Sequence, residues 1–398
     1  MPANRQKAEI RPFSFSFQEE EIDDLRARIQ GTRWPDKETV DDPSQGTQLA
    51  TMQELARYWG ADYDWRRAEA KLRAQPHFIT EIDGLDIHFI HVRSKHENAL
   101  PLIMTHGWPG SIIQQLAIID PLTNPTAYGA DAADAFDVVM PSLPGFGFSG
   151  KPTTTGWGPE RIARAWARLM ERLGYTRYAA QGGDWGAIIT ELMGVEAPPG
   201  LAGFHTNMAG AVPPEIDQAL ATGRPVPAGS DFTEEEQRAV EQLTSMYAHV
   251  HYAYLMASLP QSLTALADSP VGLASFMLEP GLELIPRAFG GDGDRLTRDD
   301  VLDNITFFWM TNTVISAARL YAENTTSFFG AKGVTLPVAV SVFPRELYEP
   351  PKSWAEKAYP NLVHYNRLPA GGHFPAWEQP ELFVEEVRTG LRPLRRSN

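Results

Sequence analysis

The stretch Ala180-Gln181-Gly182-Gly183-Asp184-Trp185-Gly186-Ala187 decides how this chain is read. A short run with strand character, Arg177 to Ala180, precedes it, and a run with helix character, Ala187 to Met193, follows it. Gly182 and Gly186 bracket Asp184 at the spacing small-x-nucleophile-x-small. At that spacing a strand turns sharply into a helix, which holds the central residue in a strained backbone with its side chain above the sheet. The flanking positions are small because the backbone packs closely there. In isolation the same letters also describe a Gly-rich turn with an N-cap aspartate. The rest of the chain has to arbitrate.

Working outward, short apolar runs at Leu100 to Met104, Phe136 to Met140, Tyr178 to Ala180, Leu201 to His205, Val338 to Phe343 and Leu362 to Tyr365 fit strands buried on both faces. Phe78 to Ile82 and Leu85 to Val92 alternate around Asp83-Gly84, a hairpin signal. Helical segments, notably Ser111 to Ile119, Pro159 to Leu173 and Trp185 to Val195, separate several of these runs. The pattern implies an α/β chain with a mixed, mainly parallel, doubly wound sheet of eight strands.

Before the sheet, Phe13 to Pro35, Thr51 to Trp59 and Trp65 to Leu72 carry apolar residues at helical spacing and need a larger body to cover. After Gly210 the strand–helix rhythm stops. Pro213-Pro214 and Pro225 to Gly229 read as linkers, Thr233 with Glu236 as a capping box, and Asp299 to Ala322 as a long aromatic-rich helical stretch. Four parts are expected: an N-terminal helical arm over 1–75, the first part of the core over 76–209, a helical lid over 210–332 and the second part of the core over 333–398. The lid falls where it would cover the C-terminal edge of the sheet, the ligand-binding edge of open α/β sheets.

The bulk numbers exclude several functions. The chain of 398 residues has no cysteine, so disulfides, thiolate metal sites and a cysteine nucleophile are out. A net charge of −15 argues against nucleic acid and against an anionic membrane surface. Met1 to Glu9 is polar without a signal core, and no window reaches the roughly 18 apolar residues of a membrane span. A soluble, cytoplasmic protein is expected.

Three more features fall at suitable points of this architecture. His106-Gly107-Trp108-Pro109-Gly110 follows the strand ending at Met104, so the amides of Trp108 and Trp185 are candidates for a two-donor oxyanion hole. His373, in Gly371-Gly372-His373-Phe374-Pro375 after the last strand, fits the chain order nucleophile, acid, histidine. Its acid partner should lie just past Val338 to Phe343, where Glu346 is nearest and Glu349 and Glu356 are alternatives. The other histidines have no metal-ligand pattern.

With these residues in place, the chain resembles the epoxide hydrolases of the α/β-hydrolase fold, in the microsomal and juvenile-hormone branch. The likeness spans nearly the whole chain. It rests on Thr32-Arg33-Trp34-Pro35, His106-Gly107-Trp108-Pro109-Gly110-Ser111, Pro141-Ser142-Leu143-Pro144-Gly145-Phe146-Gly147-Phe148-Ser149, Gln181-Gly182-Gly183-Asp184-Trp185-Gly186, Asp268-Ser269-Pro270-Val271-Gly272-Leu273 and Gly371-Gly372-His373-Phe374. The segment Leu278 to Arg298 departs from the family pattern, and no counterpart of the N-terminal anchor of membrane-bound relatives is expected, which implies a soluble form.

The resemblance implies Asp184 as nucleophile, His373 as base, Glu346 as its acid, and two lid tyrosines as proton donors to the epoxide oxygen. One is Tyr321; the other is Tyr252, with Tyr247 and Tyr254 as neighbouring alternatives. The implied reaction turns an epoxide and water into a vicinal diol through an Asp184 ester, with no metal or organic cofactor. The expected partner is a small hydrophobic epoxide, from detoxification or secondary metabolism, and at most a second copy of the chain. A haloalkane dehalogenase, which also uses an elbow aspartate, is the competing reading, with Trp309 as its lid indole; a non-catalytic binding relative is the third.

Overall fold

The computed structural model describes residues 9–226, 232–278 and 296–395. The linker reading over Pro225 to Gly229 and the divergent Leu278 to Arg298 segment therefore fall partly outside the described residues.

Among the described residues, nine strands form one sheet in the order β1-β2-β3-β5-β4-β6-β7-β8-β9. They are β1 (Arg11–Pro12), β2 (His77–Ile82), β3 (Leu85–Val92), β4 (Leu100–Thr105), β5 (Phe136–Pro141), β6 (Tyr178–Gly182), β7 (Leu201–Thr206), β8 (Val338–Val342) and β9 (Leu362–Arg367). The first three strands and the β3–β5 pair are antiparallel, and from β5 through β9 every pairing is parallel. Asp83 and Gly84 make the two-residue hairpin with φ of 53° and 82°, the left-handed pair that matches strand twist.

The extra strand corrects the expected count of eight. Arg11–Pro12 pairs with Phe78 and Ile79 at the sheet edge. Two residues ending in proline carry no periodicity to read, and proline is tolerated only at such an edge.

The arm folds as α1 (Glu19–Gln30), α2 (Leu49–Ala61) and α3 (Trp65–Arg73). Helix α1 is shorter than the Phe13 to Pro35 pattern. Phe13, Phe15 and Phe17 instead run extended and stack their rings around Phe148. Ile22, Leu25 and Ile29 of α1 and Met52, Leu55, Ala56 and Trp59 of α2 are buried, each large side chain contributing roughly 1.5–3 kcal/mol. That burial holds these helices against the rest of the described chain.

Helices α4 (Pro159–Arg172) and α5 (Trp185–Glu196) pack together over the sheet. Ser111 to Ile119 is a 3-10 helix over Ile112–Ile118, capped by Ser111, rather than an α-helix. Between β7 and β8 lie α6 (Pro214–Ala221), α7 (Glu234–His249), α8 (His251–Ser258), α9 (Pro270–Met277), α10 (Arg298–Thr311) and α11 (Val314–Glu323). Thr233 and Glu236 form the capping box of α7. The long stretch Asp299 to Ala322 breaks at Asn312, whose left-handed backbone (φ 50°) ends α10. Val212 and Gly330 pair as a parallel bridge where the helical insertion leaves and rejoins the core. The final elements are α12 (Lys352–Ala358) and α13 (Pro380–Leu391). No described helix is long and apolar enough to cross a membrane.

Candidate active site

Five loops meet above the C-terminal ends of β4, β6, β7, β8 and β9. At the end of β6 the chain turns into α5 through Asp184, which has φ 53° and ψ −129°. A non-glycine residue held there stores about 1–3 kcal/mol of strain. Its neighbours have to be glycine. A Cβ on Gly182 would lie 2.0 Å from the Gly186 carbonyl oxygen, and one on Gly186 would lie 2.0 Å from the Thr105 carbonyl oxygen. The strain is thus imposed by β4 and α5 closing on the turn.

Asp184 is buried and held from two sides. The Trp108 N–H donates to Oδ1 at 2.7 Å, and His373 Nε2 lies 3.3 Å from Oδ2. Gly107 makes room for the carboxylate, because a Cβ there would sit 2.1 Å from Oδ1. Trp185 stands at the first position of α5, and among the described residues its amide makes no bond to the carboxylate.

The oxyanion loop is braced from below. The Leu143 N–H donates to His106 Nε2 at 3.2 Å, and His106 Nδ1 lies 3.0 Å from the Gly107 carbonyl. Burial keeps His106 neutral, pulling its pKa down to about 4. It serves the loop as a fixed hydrogen-bonding strut.

His373 Nδ1 lies 2.5 Å from Glu346 Oε1. The two loops are joined by a parallel bridge between Arg345 and Gly372 and a 3.2 Å bond from the Arg345 N–H to the Gly371 carbonyl. Glu346 Oε1 also accepts from the Leu347 N–H at 2.8 Å, and Oε2 faces Asn207 Nδ2 at 3.5 Å. Burial works against charge on His373. The Glu346 carboxylate and the contacts with Asp184 and Glu346 outweigh it and push its pKa up to about 10. At neutral pH the imidazole therefore holds two protons. The alternatives for the acid are engaged elsewhere: Glu349 with Arg367 and Gln242, and Glu356 with Lys352.

Above the carboxylate, Tyr252 stacks on Trp108 with ring centroids 4.8 Å apart, and Tyr321 meets Trp185 edge-on at 4.7 Å. The two tyrosine rings are 6.2 Å apart and both are buried. The Tyr321 hydroxyl completes no hydrogen bond among the described residues. Burial first, then the nearness of Tyr252 and Asp184, raises its pKa well above 10 and keeps it a proton donor. Of the alternatives, Tyr254 is exposed and points its hydroxyl at the Tyr247 carbonyl, while Tyr247 packs on Phe329.

Sequence reasoning passed over three residues here. Gln114, Gln181 and Asn207 line a cavity of about 20 Å³ with Asp184 and His373, room for one water. Gln181 Nε2 donates to Asn207 Oδ1 at 3.1 Å, and Gln114 Oε1 is buried without a partner among the described residues. Carboxamides carry no pattern in a sequence; only the position of Gln181, three residues before Asp184, hinted at the site. No described group of carboxylates and histidines could hold a metal ion.

Comparison with known proteins assigns the chain to a family. A family model described as the epoxide hydrolase N terminus matches residues 10–115, and the alpha/beta hydrolase fold matches 101–232. A Stigmatella aurantiaca protein named as an epoxide hydrolase is 49% identical over 388 residues, covering 97% of this chain and 86% of its own. The chain belongs to the epoxide hydrolases. Epoxide hydrolase 1 of Oryctolagus cuniculus is 34% identical, covering 97% of this chain and 89% of its own. The crystal structure of juvenile hormone epoxide hydrolase from the silkworm Bombyx mori superposes with a TM-score of 0.84 at 30% identity, over 98% of this chain and 96% of that one. The enzyme is therefore an epoxide hydrolase of the α/β-hydrolase fold.

Proposed function

We propose that this epoxide hydrolase works in two covalent steps on a small hydrophobic epoxide. The observation that carries the reading is an elbow carboxylate, Asp184, between a Glu346–His373 pair and two buried lid tyrosines. In the first step Asp184 Oδ2 attacks a ring carbon, the C–O bond of the epoxide breaks, and Tyr252 and Tyr321 donate a hydrogen bond and a proton to the leaving oxygen. The aromatic walls from Trp108, Trp185, Tyr252, Tyr321 and Phe276 favour an apolar substrate.

Ester formation removes the Asp184 charge, one of the influences that hold a second proton on His373. The imidazole then passes that proton to the tyrosinate left by ring opening and becomes a base, with Glu346 fixing its orientation. Water deprotonated by His373 attacks Cγ of Asp184. The negative charge develops on the oxygen facing the Trp108 N–H, with Trp185 as the second candidate donor. Collapse breaks the ester bond; of the two protons the water brings, one leaves on the diol and the other returns His373 to its doubly protonated state. A serine here would form an ether, which an oxyanion hole cannot help to cleave.

One turnover in heavy-oxygen water tests the reading. The label should be found on the peptide containing Asp184. An unlabelled peptide after diol formation would sink the two-step mechanism.

The dehalogenase reading draws on the indole N–H groups of Trp108 and Trp185, both buried without partners among the described residues. Trp309, however, lies under the Arg28 guanidinium at 5.7 Å rather than over Asp184. Assay of haloalkanes for halide release, beside epoxides for diol, separates the two. We further propose a soluble protein acting in the cytoplasm, without a metal or organic cofactor.

A further inference from the structure

The oxyanion loop is gripped from above as well as below. Asn304, buried in the middle of α10, donates from Nδ2 to the Pro109 carbonyl at 2.6 Å. Its Oδ1 accepts from Ser111 Oγ at 2.7 Å. Ser111 Oγ in turn accepts from the Ile113 N–H at 3.2 Å and caps the 3-10 helix that follows the loop. One side chain of the lid thus spans the loop immediately after Trp108, whose N–H holds Asp184 Oδ1 at 2.7 Å.

Helix α10 is itself fixed by the N-terminal arm. Tyr63 and Arg67 reach Asp303 Oδ1 at 2.8 and 2.6 Å, and Trp59 Nε1 donates to Thr306 Oγ1 at 2.9 Å. These two anchors flank Asn304 in sequence. The path runs from arm to α10, from Asn304 to the Pro109–Ser111 backbone, and from there to the oxyanion donor.

We propose that Asn304 is a positioning residue that holds the Trp108 amide on the Asp184 carbonyl during ester hydrolysis, with the N-terminal arm bracing it through α10. Buried polar groups are hydrogen-bonded in nearly every native structure, so the bonds alone would not single out Asn304. Their target does. Both land on the segment that aims the amide at the oxygen where charge develops in the second step. A donor preorganised in this way acts on charge development and much less on ground-state binding. The inference rests on the two-step reading of the site, and its test is arranged so that the two can fail separately.

Asn304→Ala and the milder Ser111→Ala are compared with the unaltered enzyme and with His373→Gln in steady-state and single-turnover assays, with the ester followed by intact mass. Asn304→Ala is expected to slow ester hydrolysis by roughly 10- to 100-fold, the cost of a misplaced donor. Ring opening should hold within about twofold, so kcat and KM fall together while kcat/KM stays. The ester should then be visible in the steady state. Ser111→Ala removes one of the two bonds and should move the same quantities less. A structural role alone would lower the fraction of active protein and leave both rate constants as they were. That result, or an equal loss in ring opening and hydrolysis, overturns the inference. If an ester appears in His373→Gln while both clamp variants partition normally, the clamp alone is wrong. If no variant yields an ester, the two-step reading is what fails.

Discussion

The Glu346 carboxylate stands 2.5 Å from His373 Nδ1 because the loops carrying them are stitched together by Arg345 and Gly372. Both side chains are buried, so a charge on either is felt strongly by its neighbours.

That pairing sets the first expectation. His373→Gln keeps a polar side chain at the position but cannot take a proton from water. Turnover should fall by about 100- to 10,000-fold, and a protein mass increased by one substrate should persist after mixing with epoxide. Loss of turnover without any adduct would show that His373 acts before the ester forms.

A second expectation concerns the lid hydroxyls. Tyr252→Phe and Tyr321→Phe should each slow ring opening by roughly 10- to 100-fold, and the double variant should lose it. Tyr254→Phe, altering an exposed residue, should behave like the unaltered enzyme. Stopped-flow quenching of Trp108 and Trp185, which flank the carboxylate, would report the step. A fully active double variant would mean the proton comes from elsewhere.

Stability at high pH should carry the signature of His373. Its pKa in the folded protein, about 10, lies above the ordinary value near 6.5 that it takes when unfolded. A group shifted upward stabilises the fold fully below the unfolded value and loses that contribution as pH rises through the folded one. Melting temperatures of the native chain should therefore drop relative to His373→Gln between about pH 6.5 and 10. Parallel curves across that window would contradict a protonated imidazole between two carboxylates.

The acid side depends on other histidines. His77 Nε2 reaches the Leu72 carbonyl at 2.7 Å, its Nδ1 meets His88 Nε2 at 2.9 Å, and His88 Nδ1 meets Ser142 Oγ at 2.9 Å. Each ring donates one proton and accepts another, an arrangement that requires both to be neutral. Burial lowers both pKa values. Groups shifted downward in this way leave stability intact above about pH 6.5 and withdraw it as pH falls. His88→Gln should melt lower at neutral pH and show a shallower decline between about pH 6.5 and 4. The buried His106 and His205 and the half-buried His91, whose pKa values burial also lowers, will retain part of that decline. An unchanged slope would place the acid sensitivity wholly with them.

Gly186 offers a test of the elbow. A methyl group there meets the Thr105 carbonyl at 2.0 Å, a clash with backbone that no side-chain rotation relieves. Gly186→Ala should cost several kcal/mol of stability or abolish folding, read as a lowered melting temperature and lost soluble yield. Near-native stability would mean that β4 and α5 can separate at the turn.

Much of this protein was legible in its residues alone. The elbow spacing around Asp184, the apolar runs of the parallel strands, the Asp83-Gly84 turn and the Thr233–Glu236 cap are local patterns, set by side-chain size, backbone freedom and periodicity. Chain order suggested Glu346 and His373. What sequence could not supply is anything that depends on separate segments meeting. The choice between Tyr252 and Tyr254 turns on which face of α8 meets Trp108, where a one-residue shift rotates a side chain by about a quarter turn, while Tyr247 sits on α7 against Phe329. The edge strand Arg11–Pro12 exists only because β2 offers it a partner. Asn304 lies 195 residues from Pro109 in the chain and within hydrogen-bonding distance in the fold. Local propensity fixes which elements form; the doubly charged neighbourhood of His373, the neutral imidazole chain and the clamp on the oxyanion loop arise only when those elements pack and exclude water.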